Sequence, residues 1–442
     1  MFKIENIEIL SYNELLIFEH LTSAFSWKYI KNYFENANYQ PKSVIIEDKY
    51  IDKDYMIDYC NFYARSFNPP FNFTKRFHFF TLDYNELGEI IHRIKDGLES
   101  DERIEIFKQS YLGFVVEKPI KDRKGNILLG QCCLKTYSTK INNGYRYYVR
   151  TLIPVHLLGI NFDIESFPFQ PQDSAVMACA SAALWSAIRG LRNRFNLPDL
   201  SPYEITQIAT SFPSEGRNFP SEEGLTLNQM LNVISYLGLD TETLDIQNIH
   251  NLEVSNHPTI IADFIRAYLH GNFPIIALLE LVSGRKKSFH SVVITGYRYE
   301  NNKITELYIH DDQIGPYSKV LSDNNFAEWE NEWNRDFEKI KLRKLIVPVY
   351  HKLRLTFKTI YSIVRNIRQE KNLNFFFFIS DINNYKKELL YNPNIKSNFF
   401  FKSCPKFVWV IRAFQYENII WDSIYDATNH NINNIGKIIY LT

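Results

Sequence analysis

A lone cysteine, Cys179, stands where an irregular polar stretch gives way to an alanine-rich run in this chain of 442 residues. Residues 172 to 185 read QDSAVMACASAALW, which predicts that a helix begins near the cysteine. A helix N-terminus carries partial positive charge and unpaired N–H groups, so it favours a thiolate over a thiol. Gln172 lies one short loop upstream, where its amide could donate a hydrogen bond to an oxyanion. These residue types suggest an activated sulfur nucleophile.

A nucleophilic thiol needs a base within hydrogen-bond reach and a third group that orients the base. His290 is the favoured base among the eleven histidines, because it opens the strongly β-forming run HSVVITGY. A histidine near a strand end can face a cleft while its Val and Ile neighbours hold the strand rigid.

Asp311 and Asp312 are the candidates for the third group, since they follow a predicted strand and precede a Gly-Pro turn. If the strands 289–299 and 305–310 form a hairpin through 300–302, the aspartates return to the end of the sheet that carries His290. His310 is the rival base, and we expect it to point to the opposite face or to solvent. One of the two aspartates is expected to be only a turn former.

The pattern of predicted helices and strands divides the chain into three zones, with boundaries near residues 110 and 350. We therefore expect a mixed α/β domain over 1–110, a domain carrying the candidate residues over 111–350, and a small α/β domain over 351–442. The middle zone contains predicted strands at 111–117, 127–137, 145–153 and 273–282, and a predicted helix from Cys179 to about Phe195 that ends at Asn196-Leu197-Pro198. Helices followed by strands around one centre indicate an α+β architecture.

Composition excludes several classes of protein. Lys and Arg together number 50, as do Asp and Glu, so net charge gives no reason to expect nucleic acid or an anionic membrane as partner. The N-terminus lacks the pattern of a secretory signal, and the apolar runs are too short to span a bilayer. Five irregularly spaced cysteines predict neither a disulfide framework nor a metal site. A reducing cytoplasm is the simplest interpretation.

With Gln172, Cys179, His290 and Asp311 in this order, the chain resembles the papain-like cysteine peptidase superfamily. It is most similar to the branch that includes the double-glycine leader peptidases of bacterial peptide exporters. In that branch a Gln precedes the Cys, the Cys opens the central helix, and His and Asp follow on successive strands. The Asp commonly stands in an Asp-Pro-x-x-Gly turn, which residues 311–315 (DDQIG) match with Asp312 in place of the proline.

The resemblance covers roughly residues 165–325 and departs from the family at two positions. Gln172 lies seven residues before Cys179, where the family usually has six. Ala180 occupies the position of the glycine that often follows the Cys. Gln170 is a weaker substitute for Gln172 because it lies too far upstream.

The resemblance implies a papain-like domain, in which a central helix carrying the Cys packs on an antiparallel sheet carrying the His and Asp, with α/β extensions at both ends. It implies a Cys179–His290–Asp311 triad, with Asp312 as the alternative third member and Gln172 in the oxyanion hole. The expected activity is hydrolysis of a peptide or amide bond in a peptide or protein substrate, without a cofactor. Two alternatives stay open: a transglutaminase-like acyltransferase, and a catalytically silent papain-like binding module.

Overall fold

The computed structural model describes most of the chain, namely residues 2–4, 6–17, 24–97, 100–121, 125–173, 177–211, 224–247, 249, 259–322, 326–331, 336–370, 373–392, 398–415 and 418–440. In these residues the α-helices are α1 (Tyr12–Leu15), α2 (Phe25–Asn36), α3 (Lys53–Asn61), α4 (Tyr84–Lys95), α5 (Asp101–Ser110), α6 (Cys179–Phe195), α7 (Pro202–Ser211), α8 (Leu227–Tyr236), α9 (Ile260–His270), α10 (Phe357–Glu370) and α11 (Ile382–Leu390).

The strands of the same residues are β1 (Phe2–Ile4), β2 (Ile7–Ser11), β3 (Ser43–Tyr50), β4 (Thr74–Phe80), β5 (Tyr111–Lys121), β6 (Ile127–Leu134), β7 (Lys140–Ile141), β8 (Gly144–Tyr148), β9 (Thr151–Leu157), β10 (Ile160–Ser166), β11 (Leu239–Asp245), β12 (Ile275–Ser283), β13 (Lys286–Glu300), β14 (Lys303–Asp311), β15 (Gly315–Ser322), β16 (Glu328–Glu330), β17 (Lys339–Tyr350), β18 (Asn374–Asp381), β19 (Phe407–Gln415), β20 (Asn418–Asp426) and β21 (Asn434–Ile439). Helices and antiparallel sheets together make an α+β protein, as predicted. No helix in the described part of the chain is long and apolar enough to cross a bilayer.

An antiparallel sheet at the N-terminal end runs from β1 to β6, each strand pairing with the next. The expected domain boundary at residue 110 falls inside this sheet, between β4 and β5, where Phe77 pairs with Val115. The sheet therefore continues past that boundary to Leu134. The division of the chain into domains at 110 and 350 stays a prediction.

A second sheet closes on itself around the middle of the chain. Strands β12 to β17 pair in order, and β12 also pairs with β17, so these strands form a small barrel. The predicted hairpin between β13 and β14 is present, and Glu300 pairs with Lys303 across its turn. Asn301 and Asn302 make that turn with φ of +51° and +63°, a conformation that asparagine tolerates better than most residues. The hairpin returns the chain to the barrel end that holds His290.

Helix α6 lies against strands β12 and β13 of this barrel. Its small side chains allow the close approach, since Ala180, Ala182 and Ala183 are all buried. The helix begins at Cys179 and ends at Phe195, and the capping residue Asn196 adopts the left-handed conformation with φ of +53°. Both predicted ends of this helix are therefore confirmed.

The predicted strand at 145–153 was wrong as a single element. Strand β8 pairs with β13 in the barrel sheet, whereas β9 pairs with β10 in a separate two-stranded sheet. The break between them lies at Arg150, whose backbone N–H and C=O are both bonded by the side chain of Asn272. A side chain that satisfies both backbone groups takes the place of a ladder partner, so the strand ends there.

A four-stranded antiparallel sheet, β18–β19–β20–β21, ends the described chain. Helix α10 is basic and amphipathic, and it buries Ile360, Tyr361 and Val364 on one face. Trp409 on β19 donates its indole N–H to the carbonyl of Leu355 just before that helix. This contact joins the C-terminal sheet to the segment between strand β17 of the barrel and helix α10.

Candidate active site

Cys179 is the first residue of helix α6, and its side chain is partly exposed. The N-cap residue, Ala178, makes no side-chain hydrogen bond to the first turn. No side-chain cap therefore competes for the N–H groups that carry the positive end of the helix dipole. Cys132 and Cys133, by contrast, are fully buried, and burial raises the pKa of the Cys133 thiol to about 12.

His290 lies on β13, where it pairs with Leu279 of β12 and is 3% exposed. Its Nε2 atom is 3.0 Å from Oδ1 of Asp311, and the Cys179 side chain lies near enough to the ring to raise the pKa of the imidazole. Burial lowers the pKa of His290, but the charge of Asp311 and the hydrogen bonds to Asp311 and Cys179 outweigh it. The net pKa lies well above 6.5, so the imidazolium form is favoured.

Asp311 ends strand β14 and is fully buried. Its Oδ1 atom also accepts the backbone N–H of Gln313 at 3.0 Å, which fixes the carboxylate toward His290. Gly315 follows in the same turn with φ of +154°, and a Cβ at that position would overlap the ring of Tyr29. The Tyr29 hydroxyl donates to the carbonyl of Pro316 at 2.9 Å. Helix α2 thus packs directly on the turn that carries the aspartate.

Asp312, the alternative third member, lies farther from the imidazole, with Oδ1 3.7 Å from Nε2 of His290. Burial, followed by repulsion from Asp311, raises the pKa of Asp312 to about 7, although the attraction of His290 opposes the shift. The structure therefore brings both aspartates to His290 but gives the hydrogen bond to Asp311.

The rival histidine, His310, faces away from this group, as alternation along a strand requires. It is buried rather than exposed to solvent, and its ring makes edge contacts with Phe167, Phe169 and Tyr317. Burial lowers the pKa of His310 to about 3. His310 is therefore best explained as a neutral core residue that packs against aromatic side chains.

The two glutamines upstream of Cys179 differ in their surroundings. Gln172 is partly exposed, whereas Gln170 is 1% exposed and neither atom of its amide has a hydrogen-bond partner in the described chain. Residues 174–176, between Gln172 and Cys179, lie outside the described residues. The assignment of Gln172 to an oxyanion hole stays a prediction.

The side chains of His290, Asp311 and Asp312 also have the spacing of a small-cation site, since one ligand atom from each lies within 4.8 Å of the others. Imidazole and carboxylate are suitable ligands for Zn²⁺. An ion bound there would replace the proton between His290 and Asp311. Metal binding and the His290–Asp311 hydrogen bond are therefore alternatives at this position.

Sequence reasoning missed the groups that hold the chain before Cys179. Asp173 accepts hydrogen bonds from the Tyr63 hydroxyl at 2.8 Å and from the Met177 backbone N–H at 2.9 Å. Tyr63 lies 110 positions away in sequence, so no local pattern links the two residues. An acidic residue shortly before a predicted helix start was the one available signal, and it is a weak one.

No protein-family model and no curated protein matches this chain. Among solved structures, the chain is similar to the peptidase domain of Streptococcus ComA, a bifunctional ABC transporter involved in a quorum-sensing pathway. The sequence identity is 14%, the TM-score is 0.24, and the match covers 41% of this chain and 98% of that one. A TM-score this low does not establish a shared fold. The geometry of Cys179, His290 and Asp311 therefore carries the functional argument.

Proposed function

We propose that this chain is a cysteine peptidase or isopeptidase that acts through a Cys179–His290–Asp311 triad on a papain-like catalytic domain. The observation that carries the proposal is the position of His290 between the other two groups. Its Nε2 atom is 3.0 Å from Oδ1 of Asp311, and the Cys179 side chain lies near enough to the imidazole to raise its pKa. A nucleophile, a base and an orienting group are the parts that acyl transfer requires.

The proposed reaction begins from an ion pair, in which His290 already holds the proton released by the Cys179 thiol. The sulfur attacks the carbonyl carbon of the substrate, and the carbonyl oxygen gains negative charge. The backbone N–H of Cys179 and the amide of Gln172 would stabilise that oxyanion. His290 then donates its proton to the leaving nitrogen, so an amine departs and a thioester remains on Cys179.

Water completes the cycle. His290 accepts a proton from water as the water oxygen attacks the thioester, and the acid product leaves with regeneration of the Cys179 thiolate and the His290 imidazolium. Asp311 holds the imidazole in one orientation and stabilises its positive charge in both half-reactions. The raised pKa of His290 supports this role, since its charge is favoured at neutral pH.

The same thioester could react with an amine instead of water, which is the acyltransferase alternative. The binding-module alternative would be favoured by a thiol and an imidazole too far apart to touch. The proximity of the Cys179 side chain to the His290 imidazole, which raises the pKa of His290, argues against that alternative.

Turnover of a mixed panel of peptides and isopeptides tests the proposal. We expect wild-type protein to release amine products and Cys179→Ala to release none. Cys404→Ala is the matched control, because Cys404 is also a partly exposed free thiol. Added amines would replace hydrolysis products with adducts if the protein is an acyltransferase. Cleavage that persists in Cys179→Ala would overturn the proposal.

A further inference from the structure

The carboxylate of Asp173 joins the N-terminal part of the protein to the chain that precedes Cys179. Its side chain is 1% exposed. One oxygen, Oδ1, accepts the backbone N–H of Met177, two residues before the cysteine, at 2.9 Å. The other, Oδ2, accepts the hydroxyl of Tyr63 at 2.8 Å. A hydrogen bond to a buried charged group is among the stronger ones in proteins, so this junction resists displacement.

Lys118 of strand β5 balances the charge of this carboxylate. Its Nζ atom lies 3.9 Å from Oδ2 of Asp173, and its side chain is also 1% exposed. Asp58 lies near the same ammonium group, and burial raises the pKa of Asp58 well above its usual range. The ion-pair distance is the one to Asp173, so Lys118 pairs with that carboxylate. Without that pairing, the negative charge near the start of helix α6 would oppose a thiolate.

Helix α3 holds Tyr63 in place through contacts with two catalytic-domain helices. Oδ2 of Asp54 accepts the indole N–H of Trp185 at 3.0 Å and the Arg189 guanidinium at 2.7 Å. Oδ1 of Asp58 accepts the backbone N–H of Tyr203, at the start of helix α7, at 3.1 Å. Helix α3, which precedes Tyr63, is thus hydrogen-bonded to α6 on the C-terminal side of Cys179 and to α7.

We infer that Asp173 is a positioning residue for Cys179, and that the Tyr63 hydroxyl, delivered by helix α3, is the group that fixes it. Residues 53–65 then belong to the working catalytic unit. The inference rests on the proposed function for its chemical consequence, but not for the structural contact. Loss of the Tyr63 hydroxyl removes no charge, so its effect on Cys179 would act through position alone.

The test compares Tyr63→Phe with Tyr55→Phe in the full-length protein. Tyr55 is the matched control because it belongs to the same buried cluster and its hydroxyl donates to the carbonyl of Phe71 at 2.7 Å. Two measurements are made on each variant: amide hydrogen exchange of the segment 173–185, and the rate of Cys179 alkylation by iodoacetamide at pH 6. Asp173→Asn serves as the second variant if Tyr63→Phe fails to fold.

We expect Tyr63→Phe to speed amide exchange at Met177 and in the first turn of helix α6 by about tenfold, and to slow alkylation of Cys179 by roughly fivefold. The reason is that the variant loses one hydrogen bond to a charged group. Tyr55→Phe should change neither value by more than about twofold. Equal effects in the two variants would overturn the inference. Faster exchange with unchanged alkylation would also overturn it, because the contact would then be structural only. If wild-type Cys179 alkylates like an ordinary thiol while exchange responds as expected, the proposed function fails and the positioning contact stands.

Discussion

The Nε2 atom of His290 lies 3.0 Å from Oδ1 of Asp311, and the pairing of two adjacent strands sets this distance. Strand β13 places the histidine near its start, and β14 returns the chain so that its last residue is the aspartate. Because both strands belong to a closed barrel, the two side chains approach each other on a rigid frame.

Asp311 should therefore matter far more than Asp312 for turnover. We expect Asp311→Asn to lower kcat/KM by roughly 10³-fold, because the amide no longer stabilises the imidazolium or selects its tautomer. Asp312→Asn should lower kcat/KM less than about tenfold, because Oδ1 of Asp312 lies 3.7 Å from Nε2 of His290. Steady-state kinetics on the best substrate of the panel measures both. A larger loss in Asp312→Asn would exchange the roles of the two residues.

The stability of the protein should depend on pH through Asp312. Its pKa is raised to about 7 in the folded state, chiefly by burial, whereas an unfolded aspartate titrates near 3.9. The stabilising contribution of the bound proton is fully present below about pH 4 and is lost as pH rises through about 7. Asp312→Asn should therefore raise the free energy of unfolding more at pH 8 than at pH 5, by about 2–3 kcal/mol. Urea unfolding at the two pH values measures this difference. An equal increase in the free energy of unfolding at pH 5 and pH 8 would refute the prediction.

His310 should affect acid stability and leave the chemistry of Cys179 intact. Its pKa is lowered to about 3 by burial, so the folded state disfavours its charged form. The stability that depends on a neutral His310 is present above about pH 6.5 and is lost as pH falls toward 3. We expect His310→Phe to unfold at lower pH than wild type and to keep turnover at pH 7 within about threefold. Abolished turnover in a folded variant would instead identify His310 as the base.

The two glutamines offer a test of the oxyanion hole. We expect Gln172→Ala to lower kcat by about 10²-fold or more with little change in KM, since such donors act mainly in the transition state. Gln170→Ala is the comparison, because that amide is buried and has no partner in the described chain. The opposite result, with kcat lost in Gln170→Ala alone, would move the oxyanion donor two residues upstream.

Local signals made much of the site predictable. The alanine-rich run after Cys179 and the Asn196-Leu197-Pro198 stop predicted both ends of helix α6 correctly. The hairpin between β13 and β14 followed from alternating β-formers around two asparagines. These features depend on residues close together in sequence, which is why pattern reasoning found them.

Long-range contacts were the part that the sequence could not reveal. Strand β5 reads as an isolated apolar run, and nothing near it indicates that it pairs with β4 of the N-terminal sheet. Helix α3, with Asp54 bonded to Trp185 and Arg189, was not predicted at all. Partners separated by more than a hundred residues are joined by folding of the whole chain, and single-sequence patterns carry no record of them.

The most direct test of the central claim is the alkylation rate of Cys179 by iodoacetamide at pH 6 and pH 9, in wild type and in His290→Gln. An activated thiolate paired with His290 predicts less than about tenfold slowing at pH 6 in wild type. An ordinary thiol slows by roughly two hundredfold over the same range. His290→Gln should show that ordinary slowing. If wild-type Cys179 behaves as an ordinary thiol and the substitution changes nothing, Cys179 is not the nucleophile of a Cys–His–Asp triad.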